Sequence, residues 1–186
     1  MIQDIKIKKV VVTIDITTKK CYILKCNNDG YIKKRQASQK KLRKSYKNQK
    51  NRRKIMKKVV EFLQENPVQY LATVGRDGKA KCRPFMFCFE KEGKLWFCTN
   101  NTKDVYKDIL ANPEIEVSVS SPEYAWIRLH GKAVFENNHE VKEACMANPI
   151  VKSQYETAEN PIFEVFYLEN AHGVIADFSG NPPYEF

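Results

Sequence analysis

Residues 83–106 read RPFMFCFEKEGKLWFCTNNTKDVY and carry the clearest structural pattern in this chain of 186 residues. An aromatic-rich segment leads into a Lys-Glu-Gly-Lys turn, and a second apolar segment, 95–99, follows the turn. Short apolar segments on either side of a glycine turn are typical of antiparallel strands. Asn101 then has the character of a helix N-cap, with Asp104 placed three residues later as in a capping box. The stretch therefore predicts a strand, a turn, a strand and a helix in succession.

Similar patterns extend from this stretch in both directions. Further strands are predicted from alternating or continuous apolar residues at 68–74, 80–90, 115–120, 124–136, 162–168 and 173–178. Helices are predicted at 57–66, 102–111 and 138–148. Pro67 is expected to end the first helix, and Gly131 to mark a bulge. For residues 56–186 we therefore predict a mainly β (α+β) fold, a six- to seven-stranded antiparallel barrel with a few flanking helices.

The charge of the chain is distributed unevenly. The net charge is +10, and 18 of the 32 Lys and Arg but only 3 of the 22 Asp and Glu precede residue 56. All ten Phe, both Trp and all eight Pro follow residue 55. Apart from a weak hairpin over 5–25, such a basic segment is not expected to build a core. We therefore predict a basic, poorly ordered extension over 1–55 and a folded domain over 56–186.

The basic tract 31–54 has three interpretations. Clustered Lys and Arg could form a nucleic-acid-binding arm, because they release counterions from phosphates. The tract could also be a solvated tail. The third hypothesis is that residues 1–55 are a translated leader and Met56 is the true start, since Arg52-Arg53 can be encoded by AGG-AGG, a bacterial ribosome-binding sequence, shortly before Met56. We rank the leader first, the solvated tail second and the nucleic-acid arm last.

The composition argues against several classes of protein. The chain has no run of roughly 18 apolar residues and no secretory signal pattern, so we expect no membrane span and a cytoplasmic location. None of the six cysteines forms a C-x-x-C pair and the three histidines are scattered, so no metal site is predicted. No nucleophile–histidine arrangement or glycine-rich phosphate loop is recognisable, and the catalytic residues stay unassigned.

The opening stretch also groups residues that suit an anion. A helix N-terminus offers free backbone N–H groups and a partial positive charge. Two cations and two hydroxyls lie close to it in sequence or on the neighbouring strand: Arg83, Thr99, Thr102 and Lys103. Together they suit a phosphate of about −2 charge. The apolar edge at Phe85-Met86 could face a flat ring beside it. Taken singly, each residue has an ordinary structural explanation, such as a solvated strand Arg or a surface Lys.

In this order, the residues resemble the pyridoxamine 5′-phosphate oxidase-like family of FMN-binding split barrels. The subgroup they resemble is that of small flavoproteins that include nitroimidazole-resistance proteins. The resemblance covers nearly all of 56–186 and none of 1–55. The matching motifs are Arg83-Pro84, Phe97-Cys98-Thr99, Thr102-Lys103, Asn112-Pro113, and Arg128 with Gly131.

The resemblance implies a split β-barrel homodimer with FMN at each subunit interface. In this family-based assignment, Arg83 and Lys103 would neutralise the flavin phosphate, and Thr99 and Thr102 would hydrogen-bond it. The isoalloxazine would be lined by Pro84, Phe85 and Met86. Two weaker candidates would lie near the interface: Trp126 and Arg128. The Arg- and His-bearing C-terminal segment of the true oxidases is not recognisable, so the named oxidase activity is not carried over.

Three functions follow from these observations. The first is an FMN-dependent oxidoreductase acting on a small organic substrate, in which the flavin supplies the redox chemistry. The second is a flavin or haem carrier without turnover, since a fold does not determine a function. The third is a nucleic-acid-binding protein acting through residues 31–54. Cys88 and Cys98 lie near the proposed site in sequence, and we expect both to serve packing.

Overall fold

A computed structural model describes residues 2–7, 10–15, 20–24 and 29–186 of this chain. The chain divides into two compact units, Met1–Asn51 and Arg52–Phe186. Within the described residues, no helix is long and apolar enough to cross a membrane.

The first unit contains a three-stranded antiparallel sheet in the order β1-β2-β3. Its strands are β1 (Ile2–Ile7), β2 (Val10–Asp15) and β3 (Lys20–Leu24). These pairings lie where the hairpin was predicted, although its connections at 8–9 and 16–19 fall outside the described residues. Helix α1 then runs from Asp29 to Glu65. The boundary at residue 55 and the start at Met56 stay predictions.

The second unit is one curled antiparallel sheet, a half-barrel of seven strands with a short eighth strand paired to one of them. The sheet order is β5-β4-β8-β9-β10-β7-β6, and a short strand, β11, pairs with β10. The strands are β4 (Gln69–Val74), β5 (Ala80–Phe85), β6 (Phe87–Lys91), β7 (Lys94–Asn100), β8 (Glu114–Ser120), β9 (Trp126–Phe135), β10 (Phe163–Ala176) and β11 (Tyr184–Glu185). Three further helices are α2 (Asp104–Ala111), α3 (His139–Cys145) and α4 (Pro149–Tyr155). The predicted fold class is confirmed.

The long strand predicted over 80–90 is two strands that part at Met86. β5 pairs with β4 at one end of the sheet order, whereas β6 pairs with β7 at the other end. The chain therefore changes partners at Met86 and brings the two ends of the curled sheet together. The prediction was wrong because a continuous apolar run does not show where a strand changes its neighbour.

The two strands predicted over 162–168 and 173–178 are a single strand, β10. Its pairing with β9 shifts register between Glu169 and His172, so the bulge lies in β10. Gly131, where we predicted the bulge, pairs regularly with Ile115. A Cβ at Gly131 would lie 3.1 Å from the carbonyl oxygen of Glu169. The bulged strand thus approaches this backbone closely, and a glycine is favoured there because it has no side chain.

The helix predicted over 138–148 ends three residues early, and a second helix that was not predicted follows it. α3 ends at Cys145, and the Asn148 side chain then accepts a hydrogen bond from the Ile150 amide at 2.9 Å to cap α4. Pro149 occupies the first turn of α4, a position that favours proline because its missing N–H would have no helical partner. The second helix was therefore missed although its N-cap and its proline were both in the sequence.

Buried residues form two clusters on opposite faces of the sheet. The barrel interior is filled by side chains such as Leu71, Phe97, Val117, Leu129 and Phe166, with Val59 and Leu63 of α1 packed among them. The second cluster lies under α3 and α4 and contains Trp96, Val141, Cys145, Val151, Tyr155, Phe163 and Val165. Adjacent residues of β7 therefore pack into different clusters, because successive side chains of a strand point to opposite faces of the sheet.

Buried Gln69 joins α1 to the sheet. Its Nε2 donates to the carbonyl oxygens of Leu63 and Asn66 at 2.9 and 3.2 Å, and its Oε1 accepts from the Phe87 amide at 2.8 Å. The side chain is fully buried and satisfies backbone groups at the end of α1 and the start of β6. It therefore positions the point at which the chain crosses between the ends of the curled sheet.

Candidate functional site

Arg83 lies half-buried in the middle of β5 and is held by uncharged acceptors. Its Nη1 donates to Thr73 Oγ1 at 2.7 Å, to the Leu71 carbonyl at 3.2 Å and to the Lys81 carbonyl at 3.3 Å. Among the described residues, no carboxylate forms an ion pair with Arg83. One end of the guanidinium is therefore fixed, while its charge and its remaining N–H groups are available to an anion.

Arg83 faces a cavity of about 480 Å³. Three cations and three carboxylates line it: Arg76, Asp77, Lys81, Arg83, Asp104 and Asp108. The other two cations are already paired, with Arg76 contacting Asp104 at 2.7 Å and Asp108 at 3.0 Å, and Lys81 contacting Asp77 at 2.9 Å. Arg83 is thus the lining cation that forms no ion pair within the described part of the chain, although its charge helps to lower the pKa of Asp108.

Arg76 joins the tip of the β4–β5 hairpin to α2. Its backbone N–H and its Nε both donate to Asp108 Oδ1, at 3.1 and 3.0 Å, and Asp108 is almost fully buried. These hydrogen bonds from Arg76 lower the pKa of Asp108. The contact fixes the start of α2 beside the strand that carries Arg83. We missed this pair, although an aspartate next to Ile109 on the apolar side of a helix was a signal for a buried partner.

The start of α2 differs from the prediction. Lys103, rather than Asn101, occupies the N-cap position, and its side chain makes no capping hydrogen bond. Asn101 instead donates to the Pro161 carbonyl at 2.8 Å. The preceding turn is closed by Asn100, whose Oδ1 accepts from the amide and the hydroxyl of Thr102, both at 2.7 Å. Asp104, in the first turn of α2, lines the same cavity as Arg83.

Thr99 supplies a buried hydroxyl without a partner. Its side chain lies near the end of β7, is 2 % exposed, and its Oγ1 makes no hydrogen bond within the described part of the chain. Buried polar atoms are nearly always paired, and an unpaired one costs about 1–3 kcal/mol. Thr99 is not among the residues that line the cavity, so a hydrogen-bonding group from outside the protein would reach this buried hydroxyl only after a local movement of the chain. The Thr102 hydroxyl, by contrast, is exposed and already bonded to Asn100.

The structure does not bring Pro84, Phe85 and Met86 to one surface. Pro84 is exposed, whereas the ring of Phe85 packs 6.3 Å from Phe97 and belongs to the barrel interior. The Met86 sulfur accepts from Asn148 Nδ2 at 3.6 Å on the opposite face. These three residues can therefore contact a flat ring together only through their backbone, because their side chains point to different surfaces.

Trp126 and Arg128 lie on the outward face of β9 and are not among the residues that line the cavity. The Trp126 ring packs 5.1 Å from Phe178. Arg128 Nε and Nη2 contact the two carboxylate oxygens of Glu116 at 2.8 and 3.3 Å, and the hydrogen bonds from Arg128 lower the pKa of Glu116. Since its charge is matched, Arg128 has less to offer a phosphate than Arg83 has.

Comparison with known proteins identifies the family. The sequence profile of the family described as pyridoxamine 5′-phosphate oxidase matches residues 55–172. The chain belongs to this family. A NimC/NimA family protein from Clostridium acetobutylicum has 35% identity with it, over 70% of this chain and 92% of that one, with a TM-score of 0.64. The suspected family is confirmed.

More distant solved structures share the fold. A pyridoxamine 5′-phosphate oxidase-related, FMN-binding protein from Nostoc punctiforme has 17% identity, covers 64% of this chain and 79% of its own, and has a TM-score of 0.50. A haem-binding protein from Mycobacterium smegmatis has 14% identity, coverage of 66% and 53%, and a TM-score of 0.54. No curated protein matches the sequence.

Proposed function

We propose that this protein binds FMN and acts as an oxidoreductase on a small organic substrate. The observation that carries the proposal is the buried, unpartnered hydroxyl of Thr99 at the end of β7. Arg83, which forms no ion pair among the described residues, supports it, because a flavin phosphate needs both a cation and hydrogen-bond donors. The 35% identical NimC/NimA family protein supports a function within this subgroup.

For the phosphate of FMN we propose four contacts, of which Arg83 alone lines the cavity. Arg83 and Lys103 would neutralise it, and Thr99 would donate its free hydroxyl. Thr102 would join them by exchanging its bond to Asn100 for one to the phosphate. Bound FMN would supply the hydride or electron transfer. The chain's own contribution is to bind and orient the cofactor, so no side chain is assigned as a general acid or base.

The remaining sequence-based assignments stay proposals. Pro84, Phe85 and Met86 would line the isoalloxazine, chiefly through their backbone. The interface candidates are Trp126 and Arg128, which both lie on the outward face of β9. We keep the cytoplasm as the predicted location, on the sequence grounds given above.

An uncharged sheet surface supports a homodimer. Tyr70 and Val74 are 48% and 42% exposed on the outward side of β4. Their cross-strand partners on β5, Pro84 and Ala80, are exposed as well. Paired apolar side chains of this kind on an outer sheet surface are typical of an interaction site. A second copy of the chain is the partner that we propose for it.

The visible spectrum of the purified protein tests this function. Flavin absorption bands, or binding of added FMN, would support it, and a Soret band would favour the haem carrier. A colourless protein that also fails to bind added FMN would overturn the proposal. Arg83→Gln should reduce FMN retention, whereas the exposed Lys107→Gln on α2, outside the cavity lining, is the matched control. Turnover with NAD(P)H and candidate acceptors then separates an oxidoreductase from a carrier.

A further inference from the structure

Three side chains of the kinds that bind metal ions meet at the start of α3. His139 is the first residue of this helix and Glu143 follows one turn later, so the two lie on the same face of the helix. Glu159 comes from the turn that follows α4. The Nε2 of His139 lies 3.8 Å from Oε1 of Glu143 and 3.8 Å from Oε1 of Glu159, and the three ligand atoms all lie within 4.8 Å of one another. The fold, rather than sequence spacing, brings the third residue to the other two.

The backbone that carries these three side chains is anchored on both segments. In α3, Asn138 Oδ1 accepts from the Val141 amide at 3.1 Å, and Val141 is fully buried. In the turn after α4, Ala158 is 3% exposed, and Asn160 Nδ2 donates to the Tyr155 carbonyl at 2.8 Å. The side chains of the group are themselves exposed, by 57% to 67%. The core therefore fixes where the group lies, while its ligand atoms stay accessible to an ion from solution.

The negative charge of the group has no permanent partner within the described residues. There, neither Glu143 nor Glu159 forms an ion pair with a Lys or an Arg, and the one basic side chain in contact with them is His139. Contacts of 3.8 Å are too long for hydrogen bonds. Two carboxylates so close together repel each other, and a cation between them removes that repulsion. The arrangement therefore suits a bound cation.

The ligand types indicate the class of ion. An imidazole nitrogen combined with carboxylate oxygens suits zinc and similar transition metals, whereas Mg²⁺ and Ca²⁺ take oxygen ligands. Bonds from zinc to these atoms are about 2.0–2.2 Å long, which places the ligand atoms of one tetrahedral site about 3.4 Å apart. Small rotations of the exposed side chains close the difference from the observed 3.8 Å.

We propose that His139, Glu143 and Glu159 form a zinc-binding site that fastens the start of α3 to the turn after α4. Three protein ligands leave the fourth position of the ion to water, as in other open zinc sites. The bound ion would hold together the two helices that cover the second apolar cluster, and so stabilise the folded state. None of the three residues lines the cavity beside Arg83, so the zinc site and the proposed FMN site stand or fall separately.

Calorimetric titration of the full chain with Zn²⁺ tests the proposal. Because thiols also bind zinc, accessible cysteines are first alkylated with iodoacetamide. The native chain should bind one Zn²⁺ with a micromolar Kd, and His139→Gln and Glu159→Gln should each raise that Kd at least about 10-fold. Glu140→Gln is the matched control, since this exposed residue of the same helix pairs with Lys91 outside the group, and it should bind Zn²⁺ like the native chain. Equal binding by the native chain and His139→Gln, or binding of Mg²⁺ as tight as that of Zn²⁺, would overturn the proposal.

Thermal melting gives a second, independent readout. An ion that binds only the folded state raises the melting temperature, and the rise grows with the excess of the ion over its Kd. Zn²⁺ should therefore raise the melting temperature of the native chain and of Glu140→Gln by several degrees, and leave that of Glu159→Gln unchanged. All the substituted side chains are exposed, so the variants should melt like the native chain when no metal is added. If Zn²⁺ does not raise the melting temperature of the native chain, or raises that of Glu159→Gln equally, the proposed link between α3 and the turn is wrong.

Discussion

Replacing Thr99 by valine should stabilise the cofactor-free protein and weaken FMN binding at the same time. Valine keeps the shape of the side chain and removes Oγ1, which is buried and unpaired within the described residues. An unsatisfied buried hydroxyl costs about 1–3 kcal/mol, and its removal recovers that amount. In a domain of this size each kcal/mol raises the melting temperature by roughly 3–5 °C. The apoprotein should therefore melt at least about 3 °C higher.

The effect on FMN has the opposite sign. A hydrogen bond to a charged group contributes about 1.5–3 kcal/mol. Loss of the Thr99 hydroxyl should therefore raise the Kd for FMN by about 10- to 150-fold. If the Thr99 hydroxyl served only packing, its removal would not both raise the melting temperature of the apoprotein and raise the Kd for FMN. The paired changes therefore distinguish a ligand-binding threonine from a structural one.

Thr73→Val is the matched control, because Thr73 is similarly buried but its hydroxyl accepts from Arg83 Nη1 at 2.7 Å. That variant should lose about 1–2 kcal/mol of stability without cofactor, since a buried hydrogen bond is broken. Thermal melting of the apoproteins and quenching of FMN fluorescence give the two quantities. If Thr99→Val lowers the melting temperature of the apoprotein, or leaves the Kd for FMN unchanged, the reasoning is refuted.

Three further changes test other contacts. Arg83→Gln should weaken FMN binding about 10- to 100-fold and riboflavin binding much less, by calorimetry, because only FMN carries the phosphate; an equal loss for both would contradict this. Hydrogen bonds from Arg76 lower the pKa of Asp108, so the stability it adds is present above its ordinary pKa and lost as the pH falls through the lowered value. Denaturant titrations below about pH 4 should therefore show a steeper loss for the native protein than for Asp108→Asn, and parallel curves would contradict this. Gly173→Ala should sharply lower the melting temperature, because a Cβ would overlap the carbonyl oxygen of Arg128, and an unchanged melting curve would show that β9 and β10 can separate there.

Local signals in the sequence predicted most elements of the second unit. The alternation of Ile115, Val117 and Val119 with polar residues predicted β8, and these three side chains are buried. Strand partners are a property of the whole sheet. The change of partner at Met86 therefore left no recognisable local mark, whereas the irregularity after Glu169 was predicted as a gap between two strands and not as a bulge within one.

The candidate site was predicted in its residue types but not in its electrostatics. A cation on β5 and a hydroxyl at the end of β7 were visible in the sequence. Asp104 and Asp108 form their ion pairs with Arg76, which lies far from them in sequence, and not with Arg83. The N-cap of α2 was assigned to Asn101 because its residue type suits a cap. In the structure Asn100 closes the turn and the helix begins one residue after Lys103.

Strand β10 pairs with β7, β9 and β11, so neighbouring strands cover both of its edges over much of its length. Its buried residues include Phe163, Val165, Phe166 and Leu168. Amide hydrogens in such a strand exchange with solvent only when the whole sheet opens, so their slow exchange measures the free energy of global unfolding. Any ligand that binds only the folded state slows that exchange in proportion to its affinity. The amides of β10 can therefore report the binding of a colourless substrate, for which no optical signal exists.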